Sequence, residues 1–68
     1  MTVGEKIREL RKAQGLSQEE LAEEVGLSRT MVSLWEREEF EPSLLSAICL
    51  ADFFNVSLDE LACRNFKG

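Results

Sequence analysis

Histidine is absent from this 68-residue chain, and its two cysteines, Cys49 and Cys63, stand far apart. Zinc sites draw on closely spaced Cys and His ligands, so no metal is expected. No Ser or Cys lies beside a candidate base, and no glycine-rich loop is present to cradle a phosphate. The sequence therefore offers no enzyme chemistry and implies no cofactor. No apolar run reaches the length of a membrane span, and the N-terminus lacks the apolar stretch of a secretory signal. No membrane partner is expected, and the cysteines read as free, reduced thiols in a cytoplasmic protein. Strand-type alternation is missing as well, and no linker is long enough to divide the chain. The expectation is one all-α domain over residues 1–68.

What is present suits a small folded protein. Apolar residues make up 44% of the chain, an ordinary globular share that argues against disorder, although this length is near the lower limit for folding without disulfides or metal. Acids outnumber bases, 13 to 8, for a net charge of −5. Taken as an average, that charge counts against a polyanionic partner, but its distribution matters more. Lys6, Arg8, Arg11 and Lys12 crowd the first twelve residues, the next twelve hold four glutamates and no base, and Arg29 and Arg37 follow. Positive charge is local, with no single basic face.

Gly-Leu-Ser occurs twice, at Gly15-Leu16-Ser17 and Gly26-Leu27-Ser28. Each copy can end one helix and begin another: Gly takes the left-handed closing position, Ser caps the next N-terminus, and Leu staples onto a residue five positions on. Leu16 has Leu21 at that distance and Leu27 has Val32. Thr2-x-x-Glu5, Ser17-x-x-Glu20 and Ser57-x-x-Glu60 read as capping boxes, and Val56 with Leu61 as a further staple. These signals predict helices at roughly 3–13, about 18–24 and from Ser28 to about Arg37. A fourth runs from Pro42-Ser43 to Asn55, and a fifth follows Ser57 and fades after Cys63. At 100° per residue the third helix turns Met31, Val32, Trp35 and Glu36 inward. Arg29, Thr30, Ser33, Arg37 and, at the flank, Leu34 face outward.

A helix, a turn containing Gly and a second helix capped by Ser make a helix-turn-helix, here at about 17–37 with C-terminal helices at about 43–63. The stretch LRKAQGLSQEELAEEVGLSRTMVSLWE resembles the lambda Cro and phage-repressor class, the xenobiotic-response-element family. PSLLSAICLADFFNVSLDEL resembles that family's fourth and fifth helices. The resemblance implies a five-helix, lambda-repressor-like DNA-binding domain, acting as a transcriptional regulator on double-stranded DNA. Its recognition helix, about 28–37, would lie in the major groove. It also implies base-edge roles for Arg29, Thr30, Ser33 and Leu34, and phosphate roles for Gln18, Ser28, Arg37 and Ser43. Arg29 would reach guanine, and Thr30 and Leu34 the methyl group of thymine. Arg11 and Glu36 match positions that the family often joins in a structural ion pair, and Trp35 is expected in the core.

The pattern is broken in several places. Leu34 stands where many relatives carry a polar side chain, and Glu38-Glu39-Phe40-Glu41 replaces a stretch that relatives often make basic. In the fourth helix a core stripe of Leu44, Ala47, Ile48, Ala51 and Phe54 leaves Leu45, Cys49 and Phe53 on another side. A helix apolar nearly all round wants cover on more than one side. The fifth helix and the tail, through Leu58, Leu61 and Phe66, would supply it within the chain. Alternatively Leu45, Cys49, Phe53 and Phe66 form the interface of a homodimer, which would set two recognition helices about 34 Å apart on a palindromic site. Cys49 is expected to pack there, with an oxidisable switch as the other reading. The sequence stops soon after the fifth helix, so no attached effector domain is expected. The alternative function is an antitoxin-like module on the same fold that binds a protein partner and holds DNA weakly or not at all.

Overall fold

The computed structural model describes residues 1–63, and all regular structure among them is helical. The five helices are α1 (Val3–Ala13), α2 (Gln18–Val25), α3 (Arg29–Glu36), α4 (Leu44–Phe54) and α5 (Leu58–Leu61). Every start carries an oxygen side chain that accepts the orphan amide three residues on: Thr2, Ser17, Ser28, Ser43 and Ser57. At Thr2 and Ser17 the box is complete, with Glu5 and Glu20 accepting the cap residue's own N–H at 2.9 Å. Those bonds hold both carboxyls below the usual carboxylate range, because the backbone amides favour the charged form. The third predicted box closes only half way. Ser57 caps Glu60, but the Glu60 carboxylate lies 3.8 Å from Lys6 Nζ on α1.

The helices also share one way of stopping. Gly15, Gly26, Glu38, Asn55 and Cys63 each follow a helix with positive φ, between 57° and 69°. After the first four the chain makes paired closing bonds, such as Leu16 N–H to Arg11 O and Leu27 N–H to Ala22 O. Glu38 does so without being glycine or asparagine: its N–H donates to Trp35 O at 3.1 Å, and Glu39 N–H donates to Leu34 O at 3.0 Å. A left-handed glutamate is a strained choice.

Within this frame α2 packs on α3, α1 on α3, and α4 on α5 and α2. The core they enclose is Ile7, Leu21, Ala22, Val32, Trp35, Leu50, Ala51, Phe54 and Leu61. Gly4 is buried against the Trp35 carbonyl, where any Cβ would collide, so α1 crosses α3 at backbone contact.

Two expected faces are corrected. In α4 the inward side runs through Ala47, Leu50, Ala51 and Phe54, while Leu44 and Ile48 are 69% and 37% exposed. An all-round apolar helix does not mark its own inner face, and packing chose one centred near Leu50. In α3, Met31 turns out to solvent and Leu34 is half-buried, the reverse of the expected order. The chain folding back after α3 explains part of this, since both Glu39 and Phe40 bond to the Leu34 carbonyl.

Replacing Glu38 by glycine should raise stability to urea by about 0.5 kcal/mol, the left-handed penalty less the added freedom of the unfolded chain. Glu39→Gly, outside the left-handed region, should give no such gain.

Candidate nucleic-acid interface

Besides the apolar core, a buried polar cluster ties the helix-turn-helix to α1. Arg11, near the end of α1, grips Glu36, the last residue of α3, through Nε at 2.8 Å and Nη2 at 3.0 Å. Its remaining branch, Nη1, donates to the Leu16 carbonyl in the turn before α2 at 2.7 Å. Gln18, first in α2, donates from Nε2 to Glu36 Oε1 at 3.2 Å. One carboxylate thus joins α1, the start of α2 and the end of α3. The hydrogen bonds from Glu36 raise the Arg11 guanidinium above its already high value, although burial pulls the other way. Arg8 contributes at longer range, 3.9 Å from Glu36, from an exposed position. Sequence reasoning named Arg11 and Glu36 but missed that Gln18, Arg8 and the Leu16 carbonyl attach to them. A turn carbonyl carries no residue signature, and Gln18 was assigned outward.

The α3 face built on this support is mixed. Arg29 and Thr30 are exposed, whereas Ser33 and Leu34 are half-buried. Arg29 occupies the first turn of α3, where the helix dipole disfavours a cation. It is also uncommitted. Among the described residues Lys6, Arg8, Arg11 and Arg37 all have carboxylate partners, which leaves Lys12 and Arg29 without one. A cation set against its own helix dipole, with no acid to answer it, costs the fold something and faces solvent.

The residues assigned to phosphate are differently placed. Ser28 and Ser43 are exposed, but their hydroxyls cap α3 and α4, and Ser43 also donates to Ser46 Oγ at 3.0 Å. Gln18 is half-buried, with one amide hydrogen given to Glu36. Arg37 lies just beyond α3 and pairs with Glu39, Nη2 to Oε2 at 2.6 Å. Nothing in the sequence marked Glu39 as its partner, because the left-handed turn at Glu38 brings them together. On α4, Leu45 and Cys49 are exposed. The expected packing of Cys49 is therefore not met within this chain, because α4 turns its other side to the core. Phe53 is placed differently from them: it is half-buried against the core, edge-on to Phe54 with ring centres 5.1 Å apart. Phe66 lies outside the described residues.

Residues 7–61 match the family described as Helix-turn-helix. The chain belongs to that family. Its relatives there are transcriptional regulators and phage repressors of the xenobiotic-response-element type, not enzymes. The chain is 43% identical over 61 residues to the HTH-type transcriptional activator BcrR of Enterococcus faecalis, covering 90% of this chain but only 30% of BcrR. Among solved structures it is similar to the P22 c2 repressor in complex with synthetic operator 9T, with TM-score 0.88, 34% identity, and 96% of this chain and 98% of that one covered. It is also similar to the restriction-modification controller protein C.AhdI from Aeromonas hydrophila, with TM-score 0.79, 42% identity, and coverage of 87% and 89%. The all-α, lambda-repressor-like fold is that of these neighbours.

Removing Arg11 leaves the Glu36 carboxylate buried with a reduced set of donors. Arg11→Ala should cost about 3 kcal/mol in urea unfolding, whereas Arg8→Ala, losing only an exposed partner, should cost less than about 0.5 kcal/mol.

Proposed function

We propose that this chain is a sequence-specific binder of double-stranded DNA that regulates transcription in the cytoplasm, with α3 in the major groove. The observation that carries the reading is Arg29: exposed, without an acid partner among the described residues, and set in the first turn of α3 beside exposed Thr30. A cation there opposes the helix dipole and stabilises nothing in the fold; a guanine edge would take two hydrogen bonds from it, worth about 1–3 kcal/mol of discrimination. Thr30 and Leu34 then face the methyl groups of neighbouring thymines, and Ser33 lies along the same side. Gln18, with its second amide hydrogen uncommitted, and the amides at the starts of α2 and α4 by Ser43 supply phosphate contacts. Ser28 holds the first turn of α3 in shape for the same task. The P22 c2 repressor, similar over nearly the whole chain, was solved on an operator, which supports the reading.

The regulator acts as a homodimer. Leu44, Leu45 and Ile48 of α4 and Leu58 of α5 are exposed together with Cys49. Beside them Leu44 and Leu58 border a groove of about 540 Å³ whose walls include Val3, Ala47 and Leu61. Glu41 and Asp59 also line that groove, so the self-matching part is the apolar patch of Leu44, Leu45, Ile48 and Cys49, where two copies of a chain of net charge −5 can meet with the least repulsion. Two copies present two α3 helices to the half-sites of a palindrome, about one DNA turn apart. Leu45 and Cys49 keep the role assigned from sequence, joined by Leu44, Ile48 and Leu58; Phe53 serves from beneath.

The acidic Glu38–Glu41 loop supports the second reading, an antitoxin-like module whose apolar α4 face takes a protein partner. Selection from random duplexes separates the two. A roughly palindromic site should be enriched, Arg29→Ala should relax preference at one base of each half-site, and Gln18→Ala should weaken all sites alike. Equal affinity for enriched and random duplexes would put the protein-partner reading ahead.

Sedimentation tests the dimer. The chain should associate at micromolar concentration, and Leu45→Glu should return it to the monomer with its helix content intact. A wild-type monomer throughout that range would remove the interface.

A further inference from the structure

Arg37 is the C-cap residue of α3, and its guanidinium is already occupied. We propose that Glu39 acts as a built-in competitor for DNA phosphate, holding Arg37 in an internal ion pair and setting the affinity of the chain for duplex below what its fold permits. The inference rests on the DNA reading above and assigns Glu39 a role in it.

The pairing is imposed by backbone geometry more than by chance contact of two side chains. Glu38 takes the left-handed conformation at φ 62°. That reverses the chain so that Glu39 N–H bonds back to Leu34 O at 3.0 Å, with Phe40 N–H at 3.4 Å from the same oxygen. Glu39 is therefore fixed over the end of α3 by its own main chain, beside Arg37, whose N–H still donates to Ser33 O at 2.9 Å. Both side chains are more than half exposed, and the ion pair closes at 2.6 Å. Exposure puts the guanidinium within reach of a phosphate, but Glu39, fixed beside it by the backbone, keeps hold of it in the complex. A pair in solvent is worth little, so the affinity withheld is small.

The competition has a definite signature. While Glu39 holds Arg37, the protein neutralises one phosphate fewer, and one fewer condensed counterion is released. Affinity falls, and so does its dependence on salt. Glu38 and Glu41 add negative charge to the same loop but make no ion pair among the described residues, so they repel phosphate without occupying a cation.

A double-mutant cycle on the full chain, read by titration of the selected duplex at several salt concentrations, tests this. Glu39→Gln should tighten binding by roughly two- to fivefold near 0.1 M salt and steepen the log–log salt slope by about 0.9. In an Arg37→Gln background the same change should leave the slope unaltered and recover little affinity. Glu41→Gln, which removes an equal charge, should leave the slope at its wild-type value. The proposal is overturned if Glu39→Gln changes nothing, or if it acts equally with and without Arg37, since charge alone would then account for it. Failure of every variant to prefer the selected duplex overturns the DNA reading beneath it, a pattern distinct from normal binding without coupling.

Discussion

The Glu36 carboxylate is the point on which the described structure turns. It lies at the end of α3, buried, and collects two hydrogen bonds from Arg11 and one from Gln18. A charge in that position is unaffordable alone and acceptable only with its partners in place. The planar fork of Arg11 adds direction to distance, since a bidentate grip requires carboxylate and guanidinium to lie edge to edge. Because the third branch of the same side chain holds the Leu16 carbonyl, the turn into α2 is positioned by the group that positions α3. An apolar pair of equal volume would hold the helices together without specifying their angle so closely. The backbone contact at Gly4 and Trp35 completes the constraint from the other end of α1.

The parts of the fold legible in the sequence are those decided locally. Thr2, Ser17, Ser28, Ser43 and Ser57 announce helix starts because an oxygen side chain at that spacing has few better uses. Gly15, Gly26 and Asn55 announce stops because they tolerate positive φ. Glu38 and Cys63 stop their helices in the same conformation but give no sign of it, because neither residue type favours it. Tertiary choices were the ones missed. In α4, Leu44, Leu45, Ile48, Cys49 and Leu50 are all apolar, so the periodic signal that separates inside from outside is absent: Ile48, expected inside, is exposed, and Leu50, given no place, is buried. Gly4 weakens a helix by its type alone, and what requires it is the carbonyl of a residue thirty-one positions later. The candidate interface divides along the same line. Arg29 and Thr30 follow from helical position alone, whereas the ties of Gln18 to Glu36 and of Arg37 to Glu39 depend on where a turn sends the chain.

Net charge proves a poor guide because the acids are not spread at random. Glu5, Glu19 and Glu20 sit in first turns, where the helix dipole and the cap amides welcome them. Glu9, Glu36, Glu39 and Glu60 are each within ion-pairing distance of a cation. Much of the negative charge is thereby spent on the scaffold. The same pairings answer most cations with a nearby carboxylate, even where the cation stays exposed, so the positive potential left over is narrow. Arg29 stands out because nearly every other base among the described residues is answered.

That narrowness bears on how such a chain would hold a polyanion. With one free arginine on α3 and another occupied by Glu39, a single copy can neutralise few phosphates, and the electrostatic share of its affinity is small. A weak general attraction is not a defect in a protein that must find one site among many, because discrimination depends on the difference between specific and non-specific binding. Pairing through α4 would double the base contacts while leaving each half weak, so occupancy would require both half-sites at the right separation. The exposed apolar side of α4 and the sparse charge of α3 therefore make sense together: each supplies what the other lacks, and the Arg11–Glu36 cluster keeps the bundle that joins them rigid.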